Sequence, residues 1–128
     1  MERFYGFGVE NAYLGDEDQG QLSAWFVMAA IGLFQTDGGT RVDPIYEIAS
    51  PLYERVEIDL GGRYSRGDKF VIEANNASRK NKYVQSATLN GQELNTFYFD
   101  ASELLNGGSL ILEMGPEPNK KWGVIGND

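Results

Sequence analysis

Three consecutive carboxylates, Asp16, Glu17 and Asp18, stand between Gly15 and the tripeptide Gln19-Gly20-Gln21. By type and spacing they are the residues of this chain best suited to chemistry. A carboxylate held ionised at the start of a helix is a usable base. A glycine beside them lets a ligand approach the backbone, and the amide of Gln21 can hydrogen-bond hydroxyl groups. Composition removes the competing chemistries. Among 128 residues there is no histidine and no cysteine, which excludes Ser-His-Asp and Cys-His nucleophiles, Cys/His zinc sites and thiol redox reactions.

The same acids admit two plainer readings. As a structural device, Asp16 or Asp18 would be the N-cap of the helix that follows, accepting from the free N–H groups of its first turn and contributing about 1 kcal/mol. As a calcium loop, Asp16-x-Asp18-x-Gly20 supplies the first alternating oxygen ligands, but Phe26 stands six residues past Gly20, where an EF-hand needs its closing acid. The EF-hand is excluded. Cap and glycosidase-type carboxylate both remain open on the residues alone.

The element that must position these acids is the apolar run that follows them. From Leu22 to Phe34 only Ser23 and Gly32 are not apolar, which predicts a helix over 19–34 with no polar face, enclosed on all sides and with Trp25 in its core. It is too short to span a bilayer, so protein must enclose it. The positive end of its dipole would favour the ionised form of at least one of the acids. Gln35-Thr36-Asp37-Gly38-Gly39-Thr40, with its acid and two glycines, is expected to end the helix. Upstream, Gly6, Gly8 and Gly15 among Phe4, Tyr5, Phe7 and Tyr13 read as a loop whose aromatics either pack beneath it or stack on a sugar ring.

From Arg41 onward the period changes to two. Arg55-Val56-Glu57-Ile58-Asp59-Leu60 alternates strictly, and Phe70, Ile72 and Ala74, then Leu110, Leu112 and Met114, fall on one face each. Asn90-Gly91 predicts a two-residue type I′ hairpin, and Asp100-Ala101-Ser102-Glu103 resembles a capping box that opens one short helical turn. The expectation is an α+β chain in two parts: a catalytic loop and buried helix over 1–38, then an antiparallel β-sandwich-like region of six or seven strands over 39–128. Trp122, after the last strand, either covers that strand or walls a sugar site.

Net charge −8, with 11 basic residues against 19 acids, argues against a nucleic-acid partner. A hydrophobic content of 41% suffices for a packed core. Absence of cysteine leaves the compartment open, and Met1-Glu2-Arg3-Phe4-Tyr5-Gly6 does not read as a signal peptide. A fully apolar helix joined to a small sandwich cannot enclose itself. The chain therefore reads as a piece of something larger, or as one copy in a homo-oligomer.

The stretch from Gly15 to Val27 resembles the signature of the bacterial α-mannosidases of glycoside hydrolase family 92. Ile48-Ala49-Ser50-Pro51-Leu52-Tyr53, then residues 81–91, then Glu113-Met114-Gly115 with Pro118-Asn119-Lys120-Lys121-Trp122-Gly123, resemble segments near the C-terminus of those enzymes in the same order. Leu22 departs from the commoner Met, a change of little volume. The resemblance covers nearly the whole chain, and family members run to several hundred residues, so the chain is similar to their C-terminal part. It implies that the helix is the last of an (α/α)6 barrel, with the N-terminal part missing. It also implies exo-acting, calcium-dependent, inverting hydrolysis of α-linked mannose from glycans, in a periplasmic or secreted bacterial enzyme. In that reading Asp18 is the base and Asp16 shares or orients the water. Gln21 and Glu17 flank the substrate, Glu17 turned away from the reacting point. The general acid and most calcium ligands fall outside this chain, so the fragment by itself is expected to be inactive. The competing reading is a non-catalytic carbohydrate-binding sandwich, with sugar on the face of the strands.

Overall fold

The computed structural model describes Gly6 and residues 18–124. Helix α1 is Gln21–Ile31, and strands β1 (Leu33–Phe34), β2 (Ile45–Ile48), β3 (Arg55–Asp59), β4 (Lys69–Asn75), β5 (Tyr83–Leu89), β6 (Gln92–Leu94) and β7 (Tyr98–Asp100) follow. A short helix α2 (Ala101–Leu105) and the long strand β8 (Gly108–Gly115) complete the order.

The apolar run does not stay helical to Phe34. Gly32 takes the left-handed conformation at φ 82°, and its N–H reaches back to Met28 O (3.1 Å) and Ala29 O (3.3 Å), which closes the helix. Leu33 and Phe34 then pair antiparallel with Ile48 and Glu47, so the end of the run is strand, and the glycine-rich stretch at 35–40 is a later turn. Apolarity marked burial here, and burial in a strand looks the same as burial in a helix.

The strands form two sheets, one of order β1-β2-β7 and one of order β3-β4-β8-β5-β6. The five-stranded sheet is mixed where antiparallel pairing was expected, because β4 runs parallel to β8. Strand β8 comes last, after the crossover through β7 and α2, and inserts between β4 and β5. Alternation places Phe70, Ile72, Ala74, Leu110, Leu112, Met114 and Ala87 inward, and Leu33 and Phe99 meet them from the smaller sheet. Phe70, fully buried, stacks on Phe99 with centroids 5.9 Å apart across the layers. The sandwich-like core is thus shared between both sheets.

The turn at Asn90-Gly91 has φ 50° and 81°, as a type I′ hairpin requires. Asp100 occupies the cap position of α2 with extended geometry, but its side chain makes no cap bond. Glu103, the other half of the expected capping box, instead accepts from Asn90 Nδ2 at 2.9 Å.

Helix α1 is less enclosed than its composition demands. Met28 and Ile31 pack on the core and Ala30 is buried, yet Trp25 is 41% exposed and Val27 56%. Trp25 is therefore not a core residue within this chain. A helix apolar on every side thus keeps Trp25 and Val27 exposed while Met28, Ala30 and Ile31 meet the sandwich.

Candidate functional site

The structure describes the acidic segment from Asp18 onward, where it leads into α1. Asp16 and Glu17 lie outside the described residues, as does the aromatic loop at 4–15 apart from Gly6. Asp18 sits in an exposed turn two residues before Gly20. The N-cap is Gly20, with φ 73° and no side-chain cap bond, and the first turn of α1 holds no acid. Asp18 is therefore not the cap. Gly20 serves that position because its left-handed φ turns the chain into the helix at no steric cost, while its carbonyl accepts from Ala24 N at 2.9 Å. This role was not expected, since glycine is a secondary choice beside the acids that precede it.

The opposite end of α1 is fastened to the sandwich. Ala49 N donates to Gly32 O at 2.8 Å and Leu52 N to Ala30 O at 2.9 Å, so the segment after β2 grips the last turn of the helix. Eleven helical residues at 1.5 Å each then carry the other end about 16 Å away. Gln21, the first helical residue, and Asp18 stand together at that far end, both exposed. A carboxylate freed from capping, close to a glycine on which an added Cβ would meet nothing within 4 Å and to an amide side chain, is an arrangement that can present a base to a ligand from outside this chain.

Two carboxylates elsewhere are shifted by structural partners. Asp37 is held below the ordinary carboxylate range chiefly by the Gly39 N–H, which it accepts at 2.9 Å, and then by the Arg41 guanidinium. Glu57 is likewise lowered, by Lys69 Nζ at 2.7 Å first and by Arg55 at 3.1 Å. Both sit on the sandwich, in ordinary surface pairs. Among the described residues no group of three or more acids is placed to hold a metal ion. No helix of the described residues is long and apolar enough to cross a membrane.

A sugar site on the strands finds less support. The exposed aromatics Trp25, Tyr53, Tyr64 and Phe97 all lie outside the five-stranded sheet. That sheet's outer face offers Arg55, Glu57, Lys69 and Glu73 in cross-strand ion pairs, with no exposed ring for stacking. Trp122 covers the sandwich: its Nε1 donates to Leu94 O at 2.9 Å and the ring packs on the core.

Residues 1–116 match the family described as the glycosyl hydrolase family 92 catalytic domain. An uncharacterised secreted glycosidase of Arthroderma benhamiae is 34% identical over 116 residues, which span 89% of this chain and 14% of the relative. A family GH92 inverting mannosidase from Bacteroides thetaiotaomicron superposes with TM-score 0.81 at 37% identity, covering 97% of this chain and 16% of that one. A GH92 α-mannosidase of the same organism, solved in complex with mannoimidazole, gives TM-score 0.81 at 30% identity over 97% of this chain and 15% of its own. The chain thus spans about one-sixth of the mannosidases it superposes on.

Proposed function

Because the chain belongs to glycosyl hydrolase family 92, we propose that it is the C-terminal part of an exo-acting, inverting α-mannosidase and carries the base of that enzyme. The observation that carries this reading is the placement of Asp18 and Gln21 at the far end of a helix whose other end is bolted to the sandwich, within the matched span. The superposed relative described as an inverting mannosidase and the one solved with mannoimidazole support the substrate class.

In inversion, a carboxylate deprotonates a water on one face of the sugar while a second group, about 6.5–9.5 Å away, protonates the departing oxygen. Asp18 takes the proton, Asp16 shares or orients the water, and Gln21 bonds sugar hydroxyls. The general acid comes from the missing N-terminal part, and so does the surface that covers Trp25 and Val27, which belongs to an (α/α)6 barrel. Calcium would brace the sugar hydroxyls in such a site, its ligands coming mostly from outside this chain, and no step depends on it. The isolated chain holds half of the acid–base pair and is inactive. The parent acts on mannose-bearing glycans in the periplasm or outside the cell, in line with the secreted description of the fungal relative.

The test is the full protein on an aryl α-mannoside, with the first-formed product followed by proton NMR. The expected product is β-mannose. Release of α-mannose, or turnover by the pure 128-residue chain, overturns the reading.

A further inference from the structure

Five of the chain's 11 basic residues, Arg79, Lys80, Lys82, Lys120 and Lys121, fall in two short segments of a chain whose net charge is −8. Topology brings those segments together. Strand β8 lies between β4 and β5, parallel to the first and antiparallel to the second, so the loop from β4 to β5 and the segment leaving β8 emerge at one end of the sheet. The register there pairs Asn75 with Glu113 and Tyr83 with Gly115. Gln85, at an irregularity in β5, ties the second segment down: its Nε2 donates to Glu117 O at 2.7 Å, and its carbonyl accepts Asn119 Nδ2 at 2.8 Å.

Both segments hold their own shape. Asn81 Nδ2 donates to Asn76 O at 3.0 Å and Asn81 N to Ser78 Oγ at 3.0 Å, while Lys121 N donates to Asn119 Oδ1 at 2.9 Å. The five cations are exposed on this frame. Arg41, Arg55 and Lys69 are neutralised in ion pairs, whereas among the described residues Lys80, Lys120 and Lys121 have no acid within 4.0 Å. Lys82 Nζ lies 5.4 Å from the Tyr83 ring centroid. The acids of this end are Glu117, Glu54, Glu73 beside Arg55, and Glu113 beside Asn75. At a screening length of about 8 Å the local excess of positive charge governs what binds, whatever the net charge of the chain.

We propose that this end of the sandwich, residues 76–82 with 116–121, docks an anionic glycan, one bearing sulfate, phosphate or carboxylate groups along its chain. The mannosidase reading makes the partner a glycan. The hydrogen bonds hold the loops that carry the cations, so a polyanion that settles on them orders side chains but not the loops themselves. Neither segment exposes a large apolar side chain, whereas basic membrane-binding elements pair their cations with such anchors. The surface would hold a charged glycan beside the enzyme while the acidic loop acts on its mannose ends.

The test uses the full protein and its Lys80→Ala, Lys120→Ala, Lys121→Ala triple variant, with dextran sulfate, neutral dextran of the same size and phosphatidylglycerol vesicles as probes. The wild type is expected to bind dextran sulfate about ten-fold or more tightly than dextran, with affinity falling between about 50 and about 200 mM NaCl, and the triple variant to lose about ten-fold. Its melting temperature and its turnover of an aryl α-mannoside stay at the wild-type level. Equal binding of both dextrans, undiminished binding by the variant, or lysine-dependent binding of the vesicles alone overturns the proposal. None of the probes is a mannoside, so a protein that binds but cleaves nothing removes only the mannosidase reading, and one that cleaves but does not bind removes only this one.

Discussion

Gly32 and Pro51 touch: a Cβ built on Gly32 would lie 2.9 Å from both Cδ and N of Pro51, and Gly32 itself sits at φ 82°. No other residue fits both demands, so one contact ends α1 and seats the segment after β2 against it. Gly32→Ala is expected to cost about 1–2 kcal/mol for the left-handed backbone and about 1–3 kcal/mol more for the overlap. Gly20→Ala, at φ 73° with nothing within 4 Å, should show the backbone cost alone. Urea midpoints of the two variants make the comparison, and equal losses would mean that Pro51 yields.

The strands were legible because alternation is a direct image of a two-faced sheet. Val56 and Ile58, Phe70 to Ala74 and Leu110 to Met114 all point where their spacing says. The parallel pairing of β4 with β8 was not legible, since Phe70 and Leu110 carry the same pattern whichever way their strands run. The end of α1 was hidden for a related reason. Gly32 is an isolated glycine in an apolar run, and only its neighbour Pro51, nineteen positions away, shows why the helix stops there. At the candidate site the acids and Gln21 stood in plain view as residue types, and of these the structure describes Asp18 and Gln21. The cap was not legible, because Gly20 holds the position for which Asp16 or Asp18 had been the candidates.

Leu33, 1% exposed, belongs to the same core as Phe70 and Leu110 although it precedes residue 39. Leu33→Ala should cost about 2–5 kcal/mol. Deleting residues 1–38 removes that side chain together with the pairing of β1 to Ile48 and Glu47, and should lower the urea midpoint further. A truncated chain as stable as the intact one would place the domain boundary at 38/39 after all.

Asn90 does two jobs that one pair of variants separates. Its backbone supplies the first left-handed residue of the hairpin, and its side chain accepts Ser109 N and donates to Glu103, both at 2.9 Å. Asn90→Gly keeps the turn and should lose about 1–2 kcal/mol for the two bonds. Asn90→Ala should lose about 1 kcal/mol more for the backbone. If Asn90→Gly melts like the wild type, the side-chain bonds contribute nothing.

Glu57 gives the sandwich a pH dependence of known sign. Lys69 and Arg55 hold it below its ordinary 4.5, so its contribution is present above that value and is lost as the pH falls through the lower folded-state value. Glu57→Gln should lower the melting temperature slightly near neutrality and make its fall below about pH 4.5 shallower, so that the variant and wild-type curves converge in acid. The pair is exposed and screened, so the difference should shrink in high salt. An unchanged acid limb would mean that the pairing persists in the unfolded chain or is worth nothing.

Asp18 separates catalysis from architecture in the full protein. It is exposed and makes no cap bond, so Asp18→Asn should leave the melting temperature unchanged. If it is the base, the amide cannot take a proton, and turnover should fall by about 10²–10⁴-fold. Asp16→Asn should lose less if it only orients the water and as much if the two share the proton, while Glu17→Gln should be nearly silent. Gln21→Ala, removing a hydrogen-bonding partner of the sugar and no proton acceptor, should raise KM more than it lowers kcat. A purely architectural loop predicts the reverse, with normal turnover throughout and any loss confined to stability. Melting temperature and turnover measured on the same four variants distinguish the two, and near-normal turnover in Asp18→Asn ends its assignment as the base.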